Sequence, residues 1–477
     1  MQTIKHVLEP STGPSVPLPP PPPAKQLQVA SQSRFAWRSL LPVRAAINTA
    51  QAACFKTLSR TTVGFLTMTL PDGTVHKFGD TAAPDSLRAA ITVLDDAFWV
   101  RVALFSTMGF AESYMADQIR VDHLATLLGV LTRNRDRYQE MNLLPVGLNK
   151  VLNGILHSRI PNTIMNAVGN IRAHYDLGNE MFACFLDPTM MYSCPIWATA
   201  TTTDGEATNE SATDTLERAQ LRKIDRMLEL AGIRDGDRVL EIGTGWGALA
   251  IRCARKFESC TVTTLTLSAE QKRLADARIA AAGLSARITV LLLDYRHMDP
   301  RRHGGTFDRV VAIEMLEAVG PEFLPVFFAK CDELLHPTRG TVALQVITMP
   351  DARYEQYLKR VDFIQRHIFP GGHCPSLPAL IAACYSGSKG NLVLDEMQNI
   401  GPHYAKALRL WREAFTANCA RVAADHGLED KYDAEFRRKW EFYFAYCEAG
   451  FATRTLGNAQ IRFSRCGNLE LAENIPL

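Results

Sequence analysis

Arg238-Val-Leu-Glu-Ile-Gly-Thr-Gly-Trp-Gly-Ala-Leu-Ala250 is the stretch that decides the fold. Val239, Leu240 and Ile242 read as the end of a buried strand, and Gly243, Gly245 and Gly247 permit a tight turn into a helix. Such a turn brings bare backbone N–H groups to the open end of a parallel sheet, where doubly wound folds bind their ligands. The glycines alone also suit a plain strand-to-helix connection, and their spacing is not that of a dinucleotide fingerprint. Glu241 adds chemistry, because it puts a carboxylate on the strand just before the first glycine.

E-x-G-x-G-x-G resembles motif I of S-adenosylmethionine (SAM) dependent methyltransferases. Around it strand and helix alternate, with strands expected near 238–242, 261–266, 288–293, 308–313 and 341–347. The fold class is therefore α/β, a doubly wound, Rossmann-like parallel sheet covered on both faces, with a smaller amino-terminal α+β domain. Ser268-Ala-Glu-Gln271 reads as a capping box opening the second helix. An acidic residue that binds ribose hydroxyls is missing after the second strand, which ends Leu265-Thr-Leu-Ser268, so Thr266, Ser268 or Gln271 has to supply those hydrogen bonds. Asp294 and Tyr295 end the third strand and suit adenine, the carboxylate accepting from its amine and the ring covering its face.

A chain of 477 residues predicts two or three domains. Lys plus Arg (52) balances Asp plus Glu (50), which gives no reason to expect nucleic acid as a partner. No run approaches the roughly 18 apolar residues that cross a bilayer. The eleven cysteines are scattered without a C-x-x-C pair, so neither a disulfide framework nor a zinc site is expected, and a cytoplasmic location follows. Residues 1–34 hold the Pro19–Pro23 run and read as a flexible arm; the acid-poor beginning also fits a transit peptide, although the prolines break an amphipathic helix. Residues 35–59 mix Phe35, Trp37, Leu40, Leu41 and Phe55 with Arg38, Arg44 and Lys56. Such a basic amphipathic segment either lies on anionic lipid or packs on the domain after it. Residues 60–150 form an accessory, lipid-positioning domain: a hairpin turning at Pro71-Asp72-Gly73, then helices over 98–110 and 115–131. Residues 162–470 form the cofactor domain, interrupted by an exposed loop at 201–214 and a helix with Leu221, Ile224, Leu228 and Ala231 on one face.

Several further motifs stand in a familiar order. RAHYDLGNEMFACFLDPTMMYSC (172–194), EIGTGWG (241–247), LTLSAEQ (265–271), IEMLEAVG (313–320), IFPGGHCPS (368–376) and GPHY (401–404) resemble the cyclopropane-fatty-acyl-phospholipid synthase family. The resemblance implies transfer of the SAM methyl group to a cis double bond of a phospholipid acyl chain, followed by proton loss that closes a three-membered ring. It implies a bound bicarbonate as base, held by Cys194, Glu317 and Tyr443 and by the backbone at Ile313 and Ile347. Tyr192, Ser193, Glu241 to Gly247, Thr266, Leu267, Ser268, Gln271, Asp294, Tyr295 and Arg296 are implied to surround SAM. The implied partner is an unsaturated phospholipid at a membrane surface, with a homodimer as a further expectation.

The family's usual histidine is absent, and Gln345 stands in its place. Glutamine can donate a hydrogen bond to bicarbonate but cannot relay a proton. The resemblance therefore also admits a methyl or methylene branch as product, modification of another unsaturated lipid such as a sphingoid base, or a silent lipid-binding relative. Glu314 competes with Glu317 for the acidic role, and Cys194 is also readable as a small buried hydrophobe. His174 and His403 are either structural or catalytic. Trp440, Phe442, Tyr443, Phe444 and Tyr446 line an acyl tunnel or make ordinary core, and Arg462 and Arg465 meet head groups or solvent.

Overall fold

The computed structural model describes residues 41–138, 178–199 and 214–472. The proline-rich arm, His174 and most of the 172–178 motif lie outside them. Chain contacts separate Met1–Ala46 from Ile47–Leu477, and all that follows concerns the second unit. Its first element is the remainder of the helix Leu41–Leu58. Ile47, Ala50 and Cys54 share one buried face, and the Phe55 ring meets Phe78 at 5.6 Å and Trp99 at 5.4 Å. Of the two readings of this segment, residues 47–58 adopt the packed one.

Four strands follow: β1 (Phe65–Thr69), β2 (Val75–Gly79), β3 (Arg88–Val93) and β4 (Ile119–Val121), in the order β2-β1-β3-β4. The hairpin turns where Pro71-Asp72-Gly73 predicts it, with Asp72 accepting from the Thr74 N–H at 2.9 Å. The helices differ from expectation. Ser106, at φ 50°, separates Ala97–Phe105 from Thr107–Met115, and β4 interrupts the span expected to run helical from 115 to 131.

The larger sheet holds β5 (Arg238–Ile242), β6 (Thr261–Thr266), β7 (Ile288–Leu292), β8 (Arg309–Ile313), β9 (Thr341–Thr348), β10 (Leu392–Asn399) and β11 (Gly457–Arg465). The order is β10-β11-β9-β8-β5-β6-β7. β5 to β9 are parallel, as the alternating pattern predicts, and their apolar runs are buried on both faces. The all-parallel expectation is corrected at one edge, where β11 runs antiparallel between β9 and β10. Both sheet faces are covered. Leu344, Phe327, Phe328 and Phe463 pack on one side; Ile224, Leu228, Leu249 and Val311 pack on the other. Strand ends β5, β8 and β9 therefore open side by side, with the helices Pro402–His426 and Ala434–Ala452 supplying side chains to the same end. Among the described residues no helix is long and apolar enough to cross a membrane.

Candidate active site

One half of the site is built by β5 and its turn. The Gly243 and Thr244 N–H groups donate to the Leu265 carbonyl at 3.0 and 2.9 Å, tying the turn to β6. Gly243, Gly245 and Gly247 stand at φ 102°, 51° and 86°, which side chains rarely adopt. A Cβ on Gly243 would come within 3.4 Å of Met315, whereas no atom lies within 4 Å of one on Gly245. Glu241 is buried, accepts among the described residues from the Thr264 hydroxyl at 2.6 Å, and burial pushes its carboxyl up to about 8. A nearly bare acid beside an open glycine turn fits a cationic ligand such as SAM.

Thr266, Leu267, Ser268 and Gln271 follow on the adjacent strand end, but their polar groups interlock. Thr266 donates to the Gln271 side chain at 2.8 Å and accepts from the Ser268 N–H at 3.1 Å. Ser268 caps the helix Ala269–Ala281 by accepting from the Gln271 N–H at 3.2 Å, so the expected capping box forms by half. Asp294 is already paired, accepting from Arg296 Nε at 2.9 Å and Nη2 at 2.5 Å. The Tyr295 ring is buried in the core, 5.4 Å from Phe327. Met298, Phe307 and Phe327 belong to the same buried cluster as the ring.

The other half gathers around Glu314, the residue after β8, which is held at a left-handed φ of 47°. Its Oε1 accepts from three N–H donors: the Cys194 backbone at 2.9 Å, the Gln345 amide at 2.8 Å and the Asn458 amide at 2.6 Å. Its Oε2 accepts from the Tyr404 hydroxyl at 2.8 Å. Non-glycine residues at positive φ cost energy and need support from their surroundings, and here four donors provide it. Gln345 is wholly buried and committed on three sides: to Glu314, to the Cys194 carbonyl at 3.1 Å, and through its own oxygen to Gln460 at 3.0 Å. It holds protein groups in place and has no amide hydrogen left for a bound anion.

Glu317 lies one helical turn beyond Glu314. Its Oε1 accepts from the Ile347 N–H at 2.6 Å, and its buried Oε2 has no partner among the described residues. Burial, with the Glu314 charge adding to it, pushes the carboxyl up to about 8. Cys194 is fully buried with its thiol directed at the Pro195 and Ile400 carbonyls, and burial pushes it far from the thiolate form. Tyr443 meets the Tyr192 hydroxyl at 2.8 Å. Ile313 stands opposite Gln345 in the β8–β9 register. Two of the groups that the resemblance places at bicarbonate, the Gln345 amide and the Ile347 N–H, are thus occupied by Glu314 and Glu317. As they stand, these two donors are not free for that anion.

Tyr404, Asn458, Gln460 and Lys223 belong to this network without having been singled out. Tyr404 stands in the GPHY motif, and Asn458 and Gln460 open a run of polar residues that alternates with Ala459, Ile461 and Phe463, which is a legible signal. His403 is structural: its Nδ1 accepts from the Trp197 N–H at 3.2 Å. Arg462 pairs with Asp395 and Glu396 of β10, and buried Arg465 binds Asp332 and the His336 carbonyl, so neither is a free head-group ligand or a solvated charge. Trp440, Phe442 and Phe444 are buried core, with Trp440 and Phe444 packed on Phe185 and Phe415.

Residues 163–461 match the family model described as mycolic acid cyclopropane synthetase. The tuberculostearic acid methyltransferase UfaA1 of Mycobacterium tuberculosis is 39% identical over 87% of this chain and 92% of its own length. The cyclopropane-fatty-acyl-phospholipid synthase of Escherichia coli K12 is 31% identical over 80% and 89%. Among solved structures, the mycolic acid cyclopropane synthase CmaA1 in complex with SAH and CTAB superposes with a TM-score of 0.53 at 30% identity, covering 62% of this chain and 98% of that one. The chain therefore belongs to the mycolic acid cyclopropane synthetase family, enzymes built on the SAM-dependent methyltransferase fold.

Proposed function

We propose that the protein transfers the methyl group of SAM to a cis double bond of an unsaturated phospholipid acyl chain, and that its own Glu314 receives the proton the resulting cation must lose. SAM supplies an electrophilic methyl group when bound; Glu241 and the glycine turn, with Tyr192 and Ser193, are the residues that would hold it. A C–C bond forms to one alkene carbon as the S–CH3 bond breaks, which leaves a carbocation on the other carbon. Loss of a proton from a neighbouring carbon leaves a branched, still unsaturated chain; loss from the new methyl closes a cyclopropane.

The observation that supports a protein-borne acceptor is the occupation of the donor set by Glu314. Three N–H groups fix Oε1, whereas among the described residues Oε2 accepts from Tyr404 alone and keeps a lone pair for a proton. Glu317, neutral because burial raises it to about 8, adds no second charge to the same turn. The buried aromatic surroundings of Tyr192 and Tyr443 exclude water from a cation that water would quench. A lipid substrate is inferred from the relatives named for phospholipid and tuberculostearic acid, and a peripheral membrane location from that substrate.

The branched product is the first reading because the relative at 39% identity is named a tuberculostearic acid methyltransferase. The cyclopropane is the second, favoured by Cys194, Glu317 and Tyr443 lying at the same strand ends. Mass spectrometry of unsaturated phospholipid vesicles incubated with methyl-labelled SAM, with and without bicarbonate, separates them. The expected product carries one labelled branch, forms independently of bicarbonate, and is lost by about 10²–10⁴-fold in Glu314→Gln, the range for a general base. Bicarbonate-dependent ring formation would instead establish the second reading, and absence of any lipid product would defeat both.

A further inference from the structure

The helix Ala269–Ala281 carries Gln271, Ala275 and Arg278 at the i, i+4, i+7 spacing of one helix face. That face meets the glycine turn of β5: Ala275 is buried, and a Cβ on Gly247 would come within 3.4 Å of it. Two turns beyond Gln271, Arg278 gives its guanidinium to backbone oxygens. Its Nη1 donates to the carbonyls of Trp246 at 2.9 Å and Thr189 at 3.1 Å, and its Nη2 to that of Pro188 at 3.2 Å. Trp246 belongs to the glycine turn, whereas Pro188 and Thr189 belong to the loop that leads into Tyr192 and Ser193. One side chain thus joins two walls of the SAM site proposed above.

The loop needs holding, because Met190 stands at φ 60°, a conformation that a non-glycine residue keeps only where its surroundings impose it. On its amino-terminal side Arg278 holds Pro188 and Thr189. On its other side buried Gln220, from the helix Leu216–Leu230, donates to the carbonyls of Met191 at 3.3 Å and Ser193 at 2.8 Å, and Lys223 donates to the Ser193 hydroxyl at 2.5 Å. We propose that Arg278 is a positioning residue of the SAM site, which gathers the Trp246, Pro188 and Thr189 carbonyls so that Tyr192 and Ser193 face the glycine turn at the separation the cofactor requires. The proposal rests on the reading of those residues as the ones that hold SAM. Asp187 is the neighbouring carboxylate: its Oδ2 accepts from the Thr189 N–H at 2.9 Å, and its buried Oδ1 has no partner among the described residues. Gathering of carbonyls must therefore be told apart from simple charge pairing with Asp187.

The test reads SAH binding by calorimetry and amide hydrogen exchange in the full-length protein, with Arg278→Met, Arg278→Lys and Arg278→Met/Asp187→Asn. Without the clamp the loop samples arrangements that do not face the glycine turn, and affinity falls with the fraction of molecules that keep the competent one. Arg278→Met should bind SAH about tenfold more weakly or worse. Arg278→Lys keeps donors but not the planar fork, and should recover only part of the loss. Without SAH, the amides of Met190–Cys194 should exchange about tenfold faster in Arg278→Met, while those of the helix Ala269–Ala281 keep their rates, as a local opening requires. A merely structural role would lower Tm and leave both the SAH affinity of the folded protein and the loop exchange unchanged, a result that overturns the proposal. Full recovery of affinity in Arg278→Met/Asp187→Asn also overturns it, since charge pairing would then explain the loss. If Arg278→Met fails to fold, Arg278→Lys must still show weaker SAH binding with faster loop exchange. No SAH binding by wild type defeats the cofactor reading and this proposal with it; wild-type binding that the Arg278 variants leave unchanged defeats this proposal alone.

Discussion

Glu317 keeps a proton that an exposed glutamate gives up. Its carboxyl moves from 4.5 to about 8, chiefly by burial, so over that interval the folded chain binds a proton the unfolded chain has released. The associated stability is complete below the unfolded value and is lost as pH rises through about 8; Glu241, raised to about 8 by burial, contributes with the same sign. Urea midpoints should fall between about pH 5 and pH 9, and Glu317→Gln should remove part of that fall. A midpoint flat with pH in the wild type would reject the protonated assignment. Gln345 makes the neighbouring case. Gln345→Leu strips one donor from Glu314 and leaves the Cys194 carbonyl and the Gln460 amide unpaired, at about 1–3 kcal/mol for each buried group left so. Turnover and Tm should both drop while SAH affinity, measured by calorimetry, stays within about threefold, because the residue touches nothing at the glycine turn. An equal loss of affinity would move Gln345 to the cofactor half. At this scale the sequence shows which residues stand at strand ends, since motif spacing carries that information. It does not show which donor serves which acceptor, and so the central place of Glu314 comes only from the distances.

The five parallel strands are legible because each is an apolar run between turn residues, and burial on both faces demands that composition. β10 and β11 are not, because their polar residues have local employment: Asp395 and Glu396 pair with Arg462, while Asn458 and Gln460 point into the Glu314 network. β11 does alternate, Asn458, Gln460, Arg462 and Ser464 with Ala459, Ile461 and Phe463, but its polar face is largely buried, whereas β10 loses the alternation at the register shift between Leu394 and Glu396. The helix Ala434–Ala452 shows the same effect in another form, since it is apolar on more than one side. Tyr443 faces Tyr192 and Phe369, whereas Phe442, the preceding residue and about 100° around the helix, faces Phe110, Tyr114 and Phe363. One helix therefore serves the site with one face and the four-stranded unit with another. Phe442→Ala should cost about 3–5 kcal/mol in unfolding free energy, the usual range for a buried Phe, and lower turnover through Tyr443 with less effect on SAH binding. Unchanged stability in a urea titration would show that the ring contacts carry no load.

Whether the molecule behaves as one body follows from that shared helix. The division into an accessory domain over 60–150 and a cofactor domain over 162–470 is carried here as a proposal, with two sheets that each have their own buried strands. Across the division run the Phe442 ring contacts, the hydrogen bond from Arg438 to the Met115 carbonyl at 2.7 Å, and Glu112 beside Arg366 at 3.4 Å. Arg366 belongs to the short helix Phe363–His367, whose Phe363 also packs on Phe442, so the contacts reinforce one another. A small four-stranded unit has a modest core of its own, and these contacts add to its stability. Hydrogen exchange should then find the amides of Leu66–Thr69 and of Val239–Ile242 opening with free energies within about 1 kcal/mol of each other, as one cooperative unit does. In Phe442→Ala the two should separate, with β1 to β4 exchanging first, because the variant removes the wedge without touching either sheet. If the wild-type strands already exchange at distinct free energies, the accessory unit is an independently folding domain, and a substitution on its side of the helix has no route to Tyr443.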